Sequence, residues 1–304
     1  MARINVDEVR QEFIEFQAQN PLITDRVVEK SIGYSRTAIS LWRNKKYDGD
    51  YENVAEAINS FLVIQKKQKT EAEQPTKLTA FVETSVSKRL FEVATMCHVG
   101  QEMGVAYGEP GLGKTSAAKA YVKEYPSTIL IESYMGYTSK VFMQEIANRV
   151  NLEPNRAMHY NFEQSIARLK DTNRLLIIDE AEYLRYETLE LIRRIHDMAN
   201  IGVLLVGLPR LVENLRGKKG QYAMLSSRIG VSASLQNLRY EDTEQLVLTV
   251  IPDANGLCKV YHECSNGNAR VLNKLISRSL RVAAINEIKV NAEVVKEASK
   301  LLIL

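Results

Sequence analysis

The stretch Met103-Gly-Val-Ala-Tyr-Gly108-Glu-Pro-Gly-Leu-Gly-Lys114-Thr115-Ser-Ala-Ala-Lys-Ala-Tyr-Val-Lys-Glu-Tyr125 joins an apolar run to a helix-like segment. Residues 108–115 between them match the pattern G-x-x-x-x-G-K-[ST], which requires a strand before it and a helix after it. The glycines let main-chain N–H groups turn inward around phosphates, and the helix N-terminus adds partial positive charge. The stretch therefore predicts a phosphate-binding loop in an α/β domain.

The same loop predicts the groups that bind a nucleotide. Lys114 is spaced to reach the β- and γ-phosphates, and the Thr115 hydroxyl is spaced to ligate Mg²⁺. We therefore expect ATP and Mg²⁺ as the cofactors. The predicted nucleotide-binding residues of the loop are Gly108, Glu109, Pro110, Gly111, Leu112, Gly113, Lys114, Thr115 and Ser116.

A second motif, Leu175-Leu-Ile-Ile-Asp179-Glu180, lies 65 residues after Lys114 (179 − 114). Four apolar residues followed by two acids indicate a buried strand that presents carboxylates at its C-terminal end, where open α/β sheets bind ligands. Asp179 is predicted to join Thr115 in the Mg²⁺ shell. Glu180 is predicted to activate the attacking water as general base. Together with Lys114, these acids predict ATP hydrolysis.

Changes in sequence pattern predict the domain organisation. Helical spacing of apolar residues before residue 65 predicts a bundle of four or five short helices, and the polar stretch 65–76 predicts a linker. Continuous apolar runs at 103–107, 128–131, 175–178 and 202–206 then predict buried parallel strands alternating with helices. After about Tyr240 the pattern is helical again. The predicted domains are 1–64, a linker at 65–76, an ATPase core at 77–239 and a helical lid at 240–304.

Composition excludes several classes of protein. The 304 residues are 45% hydrophobic and 25% charged, with a net charge of +3, so neither wholesale disorder nor strong overall basicity is expected. Three cysteines do not make a disulfide framework. The N-terminal residues lack the apolar core of a secretory signal, and no apolar run has the length of a membrane span. We therefore expect a cytoplasmic protein with no membrane partner.

Two further segments carry a resemblance to the AAA+ superfamily: Leu225-Ser-Ser-Arg228-Ile and Gly267-Asn-Ala-Arg270. The chain is similar nearly end to end to the AAA+ ATPases of transposons, also through Lys46-Tyr-Asp-Gly-Asp50 and Phe81-Val-Glu-Thr84. The resemblance implies an α/β fold with an AAA+ P-loop core, a parallel sheet, a helical C-terminal lid and an N-terminal all-α helix-turn-helix domain. It implies that Arg228 acts catalytically on a neighbouring subunit's nucleotide and that Arg270 binds nucleotide from the lid.

The resemblance also implies a function. The expected protein is an ATP-dependent DNA-binding ATPase that forms helical filaments of its own copies on double-stranded DNA, with little sequence preference, and delivers that DNA to a cognate transposase. Leu208 stands where the family has a polar first-sensor residue, so hydrolysis is expected to be weak and stimulated by DNA or a partner. The alternatives are a replicative-helicase loader and a nucleotide-switched, sequence-specific DNA-binding regulator.

Local basic clusters predict where DNA binds. Residues 27–31 and 35–44 around Gly33 indicate a helix-turn-helix, and the second segment is basic with no acid, as phosphate contacts require. Basic clusters also occur in the core and on the last predicted lid helix. For the N-terminal helices the alternative is a module that docks a protein. For the basic stripe on the lid helix the alternative is a solvated surface with no partner. The candidate DNA-binding residues are Arg36, Thr37, Ser40, Arg43, Lys45, Lys140, Arg216, Lys218, Lys219, Lys274, Arg278 and Arg281.

Overall fold

The chain divides into two units, Met1–Thr76 and Lys77–Leu304. The computed structural model describes residues 5–73, 81–217 and 222–302. Within those ranges the α-helices are α1 Val6–Gln19, α2 Asp25–Ile32, α3 Arg36–Arg43, α4 Tyr51–Glu73, α5 Ser85–Gly100, α6 Lys114–Glu124, α7 Ser139–Arg149, α8 Met158–Leu169, α9 Tyr186–Ala199, α10 Arg210–Arg216, α11 Ala223–Ser226, α12 Tyr240–Val250, α13 Cys258–Ser265, α14 Ala269–Ile285 and α15 Ala292–Lys300.

The described part of the first unit is a helical bundle, α1–α4, with a helix-turn-helix at α2 and α3. Gly33 ends α2 in the left-handed conformation at φ 76°, which glycine adopts without steric cost. Ser35 caps α3 by accepting a hydrogen bond from the Ala38 amide at 3.2 Å. Trp42 and Phe13 are fully buried and meet edge to face, with ring centroids 6.4 Å apart. Apolar packing of α1 against α3 thus holds the bundle together.

The stretch predicted as a linker is partly helical. α4 runs to Glu73, so residues 65–73 continue the helix, and residues 74–76 lie outside the described residues. The reason is intrinsic propensity, because Gln, Lys, Glu and Ala favour helix even where no apolar face demands one. Low hydrophobicity indicated a linker here but did not exclude a helix.

The second unit contains a five-stranded sheet in the order β2-β3-β4-β1-β5, with every neighbouring pair parallel. The strands are β1 Met103–Gly108, β2 Ile129–Glu132, β3 Leu175–Asp179, β4 Gly202–Gly207 and β5 Ile229–Leu235. Four of them follow the predicted apolar runs. The fifth, Ile-Gly-Val-Ser-Ala-Ser-Leu, was not predicted, because an edge strand rich in small and polar residues lacks the continuous apolar run of a central strand.

Both faces of the sheet are buried, which explains the unbroken apolar runs. On β3, Leu175 and Ile177 point to the face covered by α5 and α6, whereas Leu176 and Ile178 point to the face covered by α7, α8 and α9. The C-terminal helices α12–α15 contribute to the first of these two cores through residues such as Tyr261 and Leu275. Core and lid lie in one unit, so the boundary at residues 239 and 240 stays a prediction.

Among the described residues, none of the helices combines the length and apolar character that crossing a lipid bilayer requires.

Close packing of α5 on the sheet predicts that Gly202→Ala destabilises the second unit. A Cβ at position 202 would lie 2.2 Å from the Cys97 carbonyl oxygen, so main-chain atoms must move. We expect a loss of about 1–3 kcal/mol in the free energy of unfolding. Urea unfolding followed by circular dichroism measures it, because the fluorescence of the single tryptophan, Trp42, reports the other unit.

Gly256→Ala is the matched control, because a Cβ there meets nothing within 4 Å. We expect it to change the free energy of unfolding by less than about 1 kcal/mol. Equal losses for the two variants would show that α5 does not limit residue size at position 202.

Candidate nucleotide-binding site

The predicted phosphate-binding loop joins the end of β1 to the start of α6. Gly111 and Gly113 have φ angles of 85° and 95°, in the left-handed region that favours glycine. Gly113 directly precedes α6, so the first-turn amides of an 11-residue helix face the loop. Leu112 points into the apolar core, and its burial anchors the loop. The geometry suits a bound polyphosphate, which amides and the helix N-terminus would stabilise together.

Lys114 lies over the loop. Its ammonium donates hydrogen bonds to the carbonyl oxygens of Gly108 at 2.7 Å and Glu109 at 2.8 Å. Burial lowers the pKa of this amine, and the negative charges of Asp179 and Glu182 oppose the shift. A phosphate group brings further negative charge, which favours the charged form of the amine. The lysine is therefore placed and charged to bind an anion at the loop.

The structure brings Thr115 and Asp179 together. The Thr115 hydroxyl donates to Asp179 Oδ2 at 2.5 Å, and Asp179 Oδ1 accepts from the Glu180 amide at 2.9 Å. Asp179 is buried at the end of β3, so its carboxylate is fixed. A hydroxyl and a carboxylate in contact are two hard oxygen donors, the type that Mg²⁺ selects, and the pair fits this metal. Their role as ligands stays a prediction.

Glu180 follows β3 in a strained main-chain conformation. Its φ of 55° is uncommon for a residue with a side chain, and the Ser133 hydroxyl donates to its carbonyl oxygen at 2.7 Å. Partial burial raises the pKa of the Glu180 carboxyl, and the charges of Asp179 and Glu182 raise it further. A carboxylate with a raised pKa accepts protons more readily, as a general base requires.

Glu182 is a site residue that the sequence analysis missed. Its buried carboxylate accepts a hydrogen bond from the Leu208 amide at 3.2 Å and lies 3.9 Å from the Arg210 guanidinium. A Cβ at Gly207 would come within 2.4 Å of the same carboxylate, so the end of β4 admits only glycine without displacement. Glu182 thus fixes the segment that carries Leu208. The only sequence signal was a third acid close behind Asp179.

Asn268 on the lid was also missed. It caps α14 by accepting from the Arg270 and Val271 amides, both at 3.1 Å, and its Nδ2 donates to the Pro110 carbonyl oxygen at 2.8 Å. The Arg270 amide in turn donates to the Gly111 carbonyl oxygen at 3.0 Å. These bonds join the start of α14 to the main chain of the loop. The main chain of Arg270 therefore lies against the loop that carries Lys114.

Arg228 lies apart from these residues. It precedes β5, and its side chain contacts Asp197 on α9 instead of the loop after β1. Glu109, Pro110 and Ser116 are exposed members of the loop region. The structure therefore gathers the loop, Asp179, Glu180 and Arg270 at one edge of the sheet and leaves Arg228 outside that group.

The basic segment of α3 does not form a basic patch in three dimensions. Arg36 pairs with Glu29 at 3.3 Å, Arg43 with Asp25 at 2.9 Å, and Lys45 with Asp7 at 3.0 Å. The sequence segment lacks acids, but α1 and α2 supply them. Arg43 is also half-buried and donates to Gln17 at 2.7 Å, so its side chain has a structural role. Thr37 is exposed and Ser40 partly so.

The other DNA-binding candidates lie in varied settings. Lys140, Arg216 and Lys274 are exposed, whereas Lys218 and Lys219 lie outside the described residues. The predicted stripe on α14 is interrupted, because the Arg278 guanidinium donates to the Leu301 carbonyl oxygen near the end of the chain. Arg281 is exposed and also has an interaction partner. Their roles in DNA binding stay predictions.

Comparisons with known proteins agree with this geometry. Residues 97–215 match the family model described as "AAA domain". The chain is 26% identical over 271 residues to the Mu-like prophage FluMu DNA transposition protein B of Haemophilus influenzae, covering 82% of this chain and 93% of that protein. It is 26% identical over 288 residues to the ATP-dependent target DNA activator B of Escherichia phage Mu, covering 93% and 89%.

Solved structures show the same fold. The Aeropyrum pernix ORC2 protein in its ADPNP–ADP complexes superposes with a TM-score of 0.56 at 14% identity, over 75% of this chain and 71% of that one. The A. pernix ORC1 protein in complex with DNA gives 0.53 at 16% identity, over 75% and 69%. The predicted fold class and the resemblance to transposon AAA+ ATPases are both confirmed.

The contact between Asn268 and the loop predicts that Asn268→Ala weakens ATP binding about fivefold, since one hydrogen bond is worth ~1 kcal/mol. Titration calorimetry with ATP and Mg²⁺ measures the dissociation constant. Asn291→Ala is the matched control, because Asn291 caps α15 in the same way, at 3.0 Å to the Val294 amide. Unchanged affinity in Asn268→Ala would mean that the lid contact does not support the loop.

The pairing of Arg43 predicts that Arg43→Ala destabilises the first unit by about 1–3 kcal/mol, because it leaves the half-buried Asp25 carboxylate unpaired. Trp42 fluorescence during urea unfolding reports this unit. Lys46→Ala, which alters an exposed side chain, should leave stability within about 0.5 kcal/mol. A stable Arg43→Ala variant with weakened DNA binding would instead support the original assignment of Arg43 to DNA.

Proposed function

We propose that this protein is an ATPase whose nucleotide state controls binding to double-stranded DNA. The premise is that residues 97–215 match the AAA domain and that the chain is similar over most of its length to phage transposition B proteins. Copies assemble as a helical filament along the DNA with little sequence preference. The filament presents that DNA to a cognate transposase as the site of integration.

One observation carries the proposal: Thr115 of the first motif bonds Asp179 of the second, and Lys114 bonds the loop carbonyl oxygens at the same edge of the sheet. The relatives' names supply the biological context, an ATP-dependent activator of target DNA and a DNA transposition protein. Lys114, Thr115 and the loop amides bind the triphosphate, and Thr115 and Asp179 hold Mg²⁺. When bound, the metal supplies positive charge that neutralises charge developing on the phosphoryl oxygens.

The protein's own groups do the remaining chemistry. Glu180 orients the attacking water and accepts its proton, and its raised pKa favours that transfer. Lys114 stabilises the negative charge that builds up as the phosphoryl group is transferred. Arg228, which lies away from its own chain's loop, completes the site of the neighbouring copy. Arg270 reaches the nucleotide from the lid, where Asn268 fastens α14 to the loop.

Hydrolysis is weak in the isolated chain under this proposal. Leu208 offers no polar side chain after β4, and its amide is bonded to Glu182. Assembly on DNA supplies Arg228 from the next copy, so DNA stimulates turnover. A switch of this kind keeps ATP intact until the protein is on its target.

DNA contacts come mainly from the second unit. Lys140, Arg216 and Lys274 are exposed, as non-specific binding to phosphates requires. In the first unit, Arg36, Arg43 and Lys45 are paired with acids of the same bundle, which favours a protein-docking role for it over sequence-specific DNA reading.

Two substitutions at the site test the proposal. Lys114→Ala removes the charge over the loop, and we expect loss of ATP-dependent DNA binding. Glu180→Gln keeps the loop and the Mg²⁺ ligands, so it should bind ATP, stay on DNA and hydrolyse at least about 100-fold more slowly, the contribution typical of a general base. Filter binding to random-sequence duplex DNA and phosphate release measure the two properties.

Negative-stain microscopy of the same samples with ATP, with ADP and without nucleotide shows the assembly. Filaments that form only with ATP and DNA support the proposal. If Lys114→Ala formed filaments like those of the wild type, the proposal that nucleotide controls DNA binding would be refuted. Closed rings without filaments would favour a helicase loader, and protection of one defined DNA site would favour a regulator.

A further inference from the structure

Arg228 is held by a neighbouring helix of its own chain. Its Nε donates to Asp197 Oδ1 at 3.1 Å, while half of its side chain stays exposed. In the part of the chain that the structure describes, the terminal guanidinium nitrogens of Arg228 have no hydrogen-bond partner. Four of the five N–H groups of an arginine belong to those nitrogens. The contact therefore fixes the base of the guanidinium and leaves its anion-binding end available.

Asp197 is itself immobilised. Arg193, four residues earlier on α9, donates to the second oxygen of the Asp197 carboxylate. Arg193 is anchored to Glu190 by two hydrogen bonds, at 2.9 Å from Nε and 2.5 Å from a terminal nitrogen. Only 11% of the Arg193 side chain is exposed, so solvent screens these bonds less than it screens bonds on the surface.

Glu190, Arg193 and Asp197 lie on one face of α9. Along the series from Glu190 to Arg228, negative and positive side chains alternate. Glu190, Arg193 and Asp197 are separated by three and four residues, which places them side by side. Each oxygen of Asp197 bonds a different arginine. Arg194 also lies 3.7 Å from Glu190, so both carboxylates are paired with arginines, and Asp197 can orient Arg228 without leaving an unpaired carboxylate on α9.

We propose that Glu190, Arg193 and Asp197 form a positioning relay that orients Arg228 toward the nucleotide of the neighbouring copy. The inference rests on the proposed function, in which Arg228 acts between copies. Asp197 touches no reacting atom and is a positioning residue. Asp197 holds the Arg228 side chain in one orientation before assembly. Less conformational entropy is then lost when Arg228 completes the neighbour's site.

The substitution Asp197→Ala tests the relay in DNA-stimulated hydrolysis. We expect kcat to fall about tenfold, with the ATP dissociation constant of the isolated chain unchanged, because the chain's own loop is intact. Asp197→Glu, which keeps the carboxylate, should recover part of the rate. Glu187→Ala, an exposed carboxylate on the same helix, is the matched control and should match the wild type. An unchanged kcat in Asp197→Ala would overturn the relay.

Mixing variants shows whether the defect passes between copies. Asp197→Ala has an intact loop and a misplaced Arg228, whereas Glu180→Gln has an inactive site and a well-placed Arg228. Their mixture should hydrolyse ATP several-fold faster than the sum of the two alone. A mixture of Asp197→Ala with Arg228→Ala should show no such gain. Equal behaviour of both mixtures would contradict positioning in trans.

An independent measurement avoids activity altogether. In nucleotide-free chain labelled with ¹⁵N-arginine, the Nε–H of Arg228 should exchange with water at least about tenfold more slowly than in Asp197→Ala, because a hydrogen bond protects it. Arg228→Lys assigns the signal. Equal exchange in the two proteins would overturn the relay. The wild type could show slow exchange of the Arg228 Nε–H but form no ATP-dependent assembly on DNA. That result would refute the proposed function and leave only the hydrogen bond between Arg228 and Asp197 supported.

Discussion

The hydrogen bond between Thr115 and Asp179 joins two strands that are not neighbours in the sheet. Thr115 follows β1 and Asp179 ends β3, while β4 lies between them. At the end of β4, Gly207 leaves room for a different group, the Glu182 carboxylate, since a Cβ at position 207 would lie 2.4 Å from it. Sheet order and the fixed carboxylate at the end of β3 together place the Thr115 and Asp179 oxygen atoms beside the phosphate-binding loop.

Around this contact the site is built from elements that differ in how firmly they are held. Asp179 is buried at the end of β3, and the partly buried Lys114 begins α6 and bonds two carbonyl oxygens of the loop. Asn268 and Arg270 come from the lid and reach the loop through a few hydrogen bonds to main-chain carbonyls. Arg228 points away from its own site. The site thus combines a buried carboxylate with lid residues that a few hydrogen bonds hold against the loop.

The sequence alone predicts those parts of the structure that depend on short-range main-chain geometry and on burial. The loop glycines need positive φ angles, and a strand buried on both faces needs a continuous apolar run, so the nucleotide site and the central strands were predictable. The edge strand β5 was not predictable because it lacks a continuous apolar run, and the helical stretch 65–73 was not because its low hydrophobicity indicated a linker. Glu182 and Asn268 act through partners 26 and 158 residues away, and single-sequence spacing carries no signal of such contacts. The acids that pair with the basic residues of α3 lie on α1 and α2, so the segment alone did not show these pairs, and its role at DNA stays a prediction.

The packing of α5 on the sheet has a consequence for thiol chemistry. Cys97 is fully buried where α5 lies against Gly104 and Gly202, and burial raises the pKa of its thiol to about 12. Burial thus keeps that thiol protonated near pH 7, whereas the thiolate is the reactive species. An alkylating reagent therefore modifies Cys97 only when α5 separates from the strands. The rate of that modification reports how often the core opens, with no label added to the protein.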